Sequence, residues 1–200
     1  MLTRTSALAA AVALATFVVG AMSVGTAGSA GVSPAAITET TNISVVNQGT
    51  ATRGSTVSIL CVVQLVSPPP GSPAVMTNSA ELNFDAKGMP TTKSGPLSPY
   101  WTAVGNSWVS TGASSPTYGV TVCAHTLIDN GGAESTSWTC DFVPVPAPAP
   151  PNVGCQSPSG SGREPVLLSW ALDSASLTSE TATMVFTNTY PAPLRPSFTG

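Results

Sequence analysis

Charge is what this 200-residue chain has least of: Asp, Glu, Lys and Arg make up 8% of it, and only six residues are basic. Scattered single Lys and Arg residues cannot build the clustered positive surface that a phosphate backbone needs, which argues against nucleic acid as a partner. The same scarcity argues against electrostatic docking on anionic membranes. Histidine occurs once, as His125, and the four cysteines are spaced 62, 17 and 15 residues apart. Zinc sites need close Cys or His pairs, so no metal is expected, and nothing in the sequence calls for another cofactor. Past residue 30 there is no apolar run of membrane-spanning length.

Helix breakers are abundant instead. With 18 Gly and 19 Pro, and no three-residue glycine period, long helices and collagen are both excluded downstream of the N-terminus. A hydrophobic content of 42% with a net charge of −3 is also unlike a disordered tail. The length suits one domain with flanking segments.

Residues 1–30 read as a secretory signal peptide. Arg4 precedes the uncharged run Ala7 to Met22, and small residues follow, with cleavage expected after Ala27 or Ala30. An uncleaved anchor helix is the alternative, but the run is short for a bilayer. Removing Arg4 leaves five basic against nine acidic residues, a net charge of −4. Pro191 to Gly200 carries neither a stop-transfer helix nor a wall-sorting signal, so a soluble product, secreted or at the extracellular cell surface, is expected, with no membrane insertion after cleavage. An even number of cysteines in an oxidising compartment reads as two disulfides among Cys61, Cys123, Cys140 and Cys155, with three pairings open.

After a flexible lead at 31–41, strand-like segments alternate with turn signals. Ile43 to Val46 is short. Thr56 to Val66 alternates Val57, Ile59, Cys61, Val63 and Leu65, with Leu60 and Val62 making its other face apolar too, which places it mid-sheet. Ser67-Pro68-Pro69-Pro70-Gly71 stops it, because proline donates no ladder hydrogen bond. Ala80 to Phe84 follows, then an insertion at about 89–115, read as loop to Pro99 and beyond it as an aromatic-rich strand pair or side lobe. Tyr118 to Leu127 and Ser135 to Phe142 are expected to form a hairpin about Asp129-Asn130-Gly131-Gly132, with Tyr118, Val120 and Val122 on one face of the first. Val143 to Pro151 reads as a stiff polyproline connector, Gly154 to Gly162 as a polar loop, and Val166 to Leu172 and Thr181 to Asn188 as the last strands. Residues 42–190 thus read as an all-β domain, an antiparallel β-sandwich, immunoglobulin-like or transthyretin-like, with seven or eight short strands; 191–200 is a tail.

Three strings carry a family resemblance: Ser58-Ile59-Leu60-Cys61; Val122-Cys123-Ala124-His125-Thr126 with Asp129 to Thr136; and Ala182 to Tyr190. Together they resemble a repeat domain of actinobacterial surface proteins whose function is undefined, itself similar to the collagen-adhesin B-type modules of bacterial stalks. The resemblance implies Cys61 paired with Cys123, leaving Cys140 with Cys155. Stalk modules of that kind can carry a Lys to Asn isopeptide bond, and Asn188 occupies such an asparagine's position. The first strand, however, offers no lysine, and Ala124-His125-Thr126 replaces the strand glutamate, so no isopeptide is expected.

Catalytic patterns are weak. A triad needs a histidine between nucleophile and acid, yet no G-x-S-x-G surrounds any serine, and His125 reads as a residue on a solvated strand face. The nine carboxylates are scattered singly, unlike a glycosidase pair, Asp129-Asn130 lacks the remaining ligands of a calcium loop, and Asn42-Ile43-Ser44 is a weak glycosylation acceptor. No catalytic residue is assigned. Of the aromatic residues, Trp138 and Trp170 alternate with apolar neighbours and read as core, which leaves Trp101 and Trp108, in the insertion, as candidate contacts to a ligand. The expectation is a secreted structural or adhesive module without catalysis, facing a surface protein or glycan; the alternative is a binding protein that holds a small ligand or glycan through the Trp-containing insertion.

Overall fold

Eleven-residue stretches in which every second residue is apolar have a buried and an open face only as strands, and strands dominate the chain. The computed structural model describes residues 37–50, 52–65, 70–71, 73–113, 118–145, 153–171 and 179–192. The expected signal peptide lies outside them, as do residues 193–200 of the tail and most of the polyproline stretch.

Apart from one 3-10 turn at Ser98–Tyr100, every regular element among the described residues is a strand. In chain order they are β1 (Thr38–Gln48), β2 (Ser55–Leu65), β3 (Val75–Phe84), β4 (Pro90–Ser94), β5 (Trp101–Val104), β6 (Ser107–Ala113), β7 (Tyr118–Asp129), β8 (Ser135–Val145), β9 (Gly154–Cys155), β10 (Ser159–Ser161), β11 (Val166–Ala171) and β12 (Ser179–Thr189). They form two six-stranded sheets, β10-β8-β12-β1-β6-β5 and β4-β3-β2-β7-β11-β9. The all-β sandwich is as the sequence predicts, though with twelve strands among the described residues instead of seven or eight. The additional ones are short edge strands and the pieces of the insertion.

The core is where the inward faces meet. Ile43 and Val45 of β1 and Met184 and Phe186 of β12 face Val57 and Ile59 of β2, Leu82 of β3, Leu127 of β7 and Leu168 of β11, all essentially without solvent contact. Each such side chain contributes roughly 1.5–3 kcal/mol. β2 lies between β3 and β7, mid-sheet as its two apolar faces suggest, and Leu60 and Val62 remain exposed on its outer side.

Three expectations are corrected. First, the stretch read as loop to Pro99 contains β4, which extends one sheet beside β3; beyond it the strand-pair reading holds, with β5 and β6 extending the other sheet beside β1. Second, β1 begins at Thr38, inside the supposed lead, because Ile37, Thr41 and Ile43 share a buried face. Third, β7 and β8 do not form a hairpin. β7 pairs with β2 and β11, β8 pairs with β12 and β10, and the Asp129–Glu134 segment carries the chain from one sheet to the other. Gly131, at φ 64°, turns that crossing where a Cβ would lie 2.7 Å from the Gly54 carbonyl oxygen.

Among the described residues, all strand pairs are antiparallel except one. β1 and β12, the first and last strands, run parallel and in register from Thr38 beside Ser179 to Gln48 beside Thr189. Two disulfides add covalent ties: Cys61–Cys123 joins neighbouring β2 and β7 with Cα atoms 4.0 Å apart, and Cys140–Cys155 links β8 of one sheet to β9 of the other. This is the pairing the resemblance implies. Cys123 belongs to the buried face of β7 with His125 and Leu127, and it is Val122 and Ala124 that turn outward beside Val62 and Leu60.

On the loop-entropy account the 62-residue tie contributes about 4 kcal/mol and the 15-residue tie about 3 kcal/mol. Urea unfolding followed by tryptophan fluorescence should therefore show Cys61→Ala/Cys123→Ala losing somewhat more stability than Cys140→Ala/Cys155→Ala. A reversed order would mean that linking the two sheets outweighs the longer loop.

Candidate functional site

One end of the sandwich is tied by a polar network, with an open groove beside it at Asn130, Thr136 and Arg163, and the other holds a cavity between the sheets. The cavity, of about 450 Å³, opens between the sheets where β1 begins and β2 ends. One wall comes from Glu39 and Thr41 of β1, Ser110 to Gly112 of β6 and Trp101 of β5. The facing wall comes from Ile59, Cys61 and Val63 of β2, Met76 and Asn78 of β3, Thr121, Cys123 and His125 of β7, and Trp170 of β11. Pro96, Leu97 and Tyr100, around the 3-10 turn, complete it. The Cys61–Cys123 disulfide thus forms part of the lining.

Alternation decides which residues point inward. Glu39 precedes Thr41 and Ile43 on the inner face of β1, and Glu180 precedes Ala182 and Met184 on that of β12. The parallel register sets Glu39 directly beside Glu180. Glu180 is 2% exposed, and its Oε2 has no hydrogen-bond partner. Burial raises the Glu39 carboxyl to about 7. Burial, with the neighbouring Glu39 charge adding to it, raises Glu180 to about 7 as well. The carboxylates, single along the sequence, therefore include one adjacent pair, Glu180 buried and Glu39 half-buried, 141 positions apart and legible only once the terminal strands are known to pair.

His125 is not on a solvated face. It is 1% exposed, lines the cavity, and its Nδ1 has no partner. Desolvation lowers it to about 4, against the opposing effect of backbone hydrogen bonds with Val166 and Cys123, so the ring is neutral at ordinary pH. The expectation failed because the apolar residues Val120 and Val122 suggested the inward face, whereas the disulfide and Leu127 fix the opposite one.

Trp101 and Trp108 are each 4% exposed, so neither offers the open platform expected of a ligand contact. Trp108 lies in the core and its Nε1 donates to the Asn83 carbonyl at 3.1 Å, with the Lys93 ammonium 5.8 Å from its ring centre. Trp101 does line the cavity, and its carbonyl accepts a hydrogen bond from Lys93 Nζ. Tyr100, which sequence reasoning passed over, is the most exposed aromatic residue on the cavity rim. Trp138 and Trp170 are buried. Among the described residues, no group of three or more His, Cys, Asp or Glu side chains is placed to hold a metal ion.

The opposite end is polar and hydrogen-bonded around Asn188. Asn188, fully buried, donates from Nδ2 to Ser55 Oγ at 3.0 Å and to Asn47 Oδ1 at 3.1 Å, and its Oδ1 accepts from Thr136 Oγ1 at 2.9 Å. Asn130 donates to Thr136 Oγ1 and accepts from Arg163, and the Tyr190 hydroxyl donates to the Asn130 carbonyl at 2.8 Å. The first strand thus meets Asn188 with an asparagine, Asn47, through a hydrogen bond.

Compared with known protein families, with curated proteins and with solved structures, the chain matches none. Two disulfides fit an oxidising compartment, and no helix among the described residues is long and apolar enough to cross a membrane.

Two outcomes follow from these ends. Asn188→Ala removes three hydrogen bonds and leaves the buried Thr136 hydroxyl proton without its acceptor, and should cost about 2–4 kcal/mol in urea unfolding; a loss near zero would mean that water replaces the network. At the cavity end, the unfolded chain releases the two glutamate protons near 4.5 while the folded chain holds them to about 7, so stability falls as pH rises across that interval. His125 acts oppositely between about 4 and 6.5, because there the unfolded state alone is protonated. Two carboxyls outweigh one imidazole, so the urea midpoint should decline from pH 4.5 to 7, and Glu39→Gln/Glu180→Gln should reverse the slope below pH 6.5.

Proposed function

We propose that the chain is a secreted structural module of the cell exterior, non-catalytic and suited to carrying tension in a surface or adhesive assembly. The observation that carries this reading is the parallel pairing of β1 with β12 over their full length. The chain enters at Thr38 at one end of that pair and leaves at Thr189 at the other, so pulling the ends apart loads the whole ladder in shear instead of opening it bond by bond.

The disulfides support the same reading. Each closes a loop that tension cannot extend while the bond is intact, 62 residues through Cys61–Cys123 and 15 through Cys140–Cys155. Trp101 and Trp108 are buried, so neither presents an exposed aromatic platform of the kind a surface glycan contact uses. The resemblance to surface-protein repeats and stalk modules agrees with a structural role.

Pulling single molecules tests it. With handles at Thr38 and Thr189, unfolding should release about 75 residues when the disulfides are intact and about 150 when they are reduced, at up to 3.3–3.6 Å per residue. With handles at Thr50 and Ala192, both at the Gln48–Thr189 end of the pair, the same ladder unzips and should fail at clearly lower force. Equal rupture forces in the two geometries would contradict the load-bearing role.

A further inference from the structure

The cavity has a composition that carrying tension does not explain. Its volume of about 450 Å³ falls in the small-molecule range. Three aromatic side chains, Tyr100, Trp101 and Trp170, line it with Met76 and Leu97. Glu39 stands in the wall with Glu180 beside it.

Among the described residues, no basic side chain balances these two carboxyls. Lys93 is engaged at the Trp101 carbonyl and Arg163 at Asn130. Arg53 and Lys87 lie in the loops of the opposite end. Buried carboxylates are ordinarily paired, since an unpaired charge away from water is costly. A metal ion would need further ligands, and among the described residues no third acidic, His or Cys side chain joins the pair in a metal-binding arrangement. Aromatic faces beside a carboxylate suit an organic cation, which the ring quadrupoles attract as well.

His125 narrows the class. The residue lines the same cavity, and its Nδ1 is buried without a partner. In the tautomer with the proton on Nε2, that atom accepts a hydrogen bond, so a ligand bearing N–H groups satisfies it and a fully alkylated ammonium does not. We propose that the inter-sheet cavity binds a small protonated amine on an apolar body, its ammonium at Glu39 and Glu180 and its body against Tyr100, Trp101 and Trp170. This site is independent of the tension-bearing role, and either can fail alone.

The test is an NMR titration of the disulfide-intact protein at pH 8, following the indole N–H signals. The probes are phenethylamine and its neutral counterpart 2-phenylethanol. The signals of Trp101 and Trp170 should move with phenethylamine while that of Trp138, outside the cavity, stays, and the alcohol should bind at least about tenfold more weakly. Glu39→Gln/Glu180→Gln, which removes buried charge and so leaves the fold intact, should abolish that preference. Gly112→Leu should block both probes, since a Cβ at Gly112 meets nothing within 4 Å and the side chain can enter the cavity beside Glu39. Equal binding of amine and alcohol, an amine preference that survives the double substitution, or no response of Trp101 and Trp170 to millimolar amine would each overturn the proposal.

Discussion

The in-register parallel contact between the first and last strands is the constraint on which the rest depends. No tight turn can join parallel neighbours, so β1 and β12 meet only after the whole domain between them has been laid down. Their pairing places β12 and β8 on one side of β1 and β6 and β5 on the other, completing the sheet that covers Val57, Ile59, Leu127 and Leu168. The same register sets Glu39 beside Glu180 at one end and Asn47 beside Asn188 at the other.

Those two ends received opposite chemistry. At the Asn188 end the asparagine's own polar atoms find partners in Ser55, Asn47 and Thr136, and Tyr190 closes over the crossing between the sheets. At the Glu180 end an unpartnered carboxylate oxygen and an unpartnered imidazole nitrogen remain, and the cavity lies there. A satisfied network rigidifies, whereas an unsatisfied one raises carboxyl pKa values and lowers that of a histidine. The two ends of one strand pair thus differ in kind, a hydrogen-bonded network around Asn188 and a cavity with unpartnered polar atoms near Glu39.

Much of the fold was legible in the residues, for local reasons. Period-two alternation marked β2, β7, β8, β11 and β12, and the two apolar faces of β2 placed it mid-sheet. Strand identity does not reveal strand partners, however. Asp129-Asn130-Gly131-Gly132 is a turn signal, and it turns the chain between sheets instead of into a hairpin, because β8 finds its long partner in β12. The site was least legible. Glu39 and Glu180 are distant in sequence, and His125 sits on a strand with apolar residues on both faces, so alternation alone pointed the wrong one inward. Trp101 was singled out and does border the cavity, whereas Trp108, chosen on the same grounds, belongs to the core.

Native-state hydrogen exchange measures directly whether the β1–β12 contact holds the domain together. Amides of Val45 and Val46 in β1 and of Val185 and Phe186 in β12 should exchange only through global unfolding, with the same opening free energy as Ile59 in β2 and Leu127 in β7. Exchange of the β1 and β12 amides through a lower-energy opening, while β2 and β7 remain protected, would contradict the account. The terminal pair would then be an addition to an independently stable sheet.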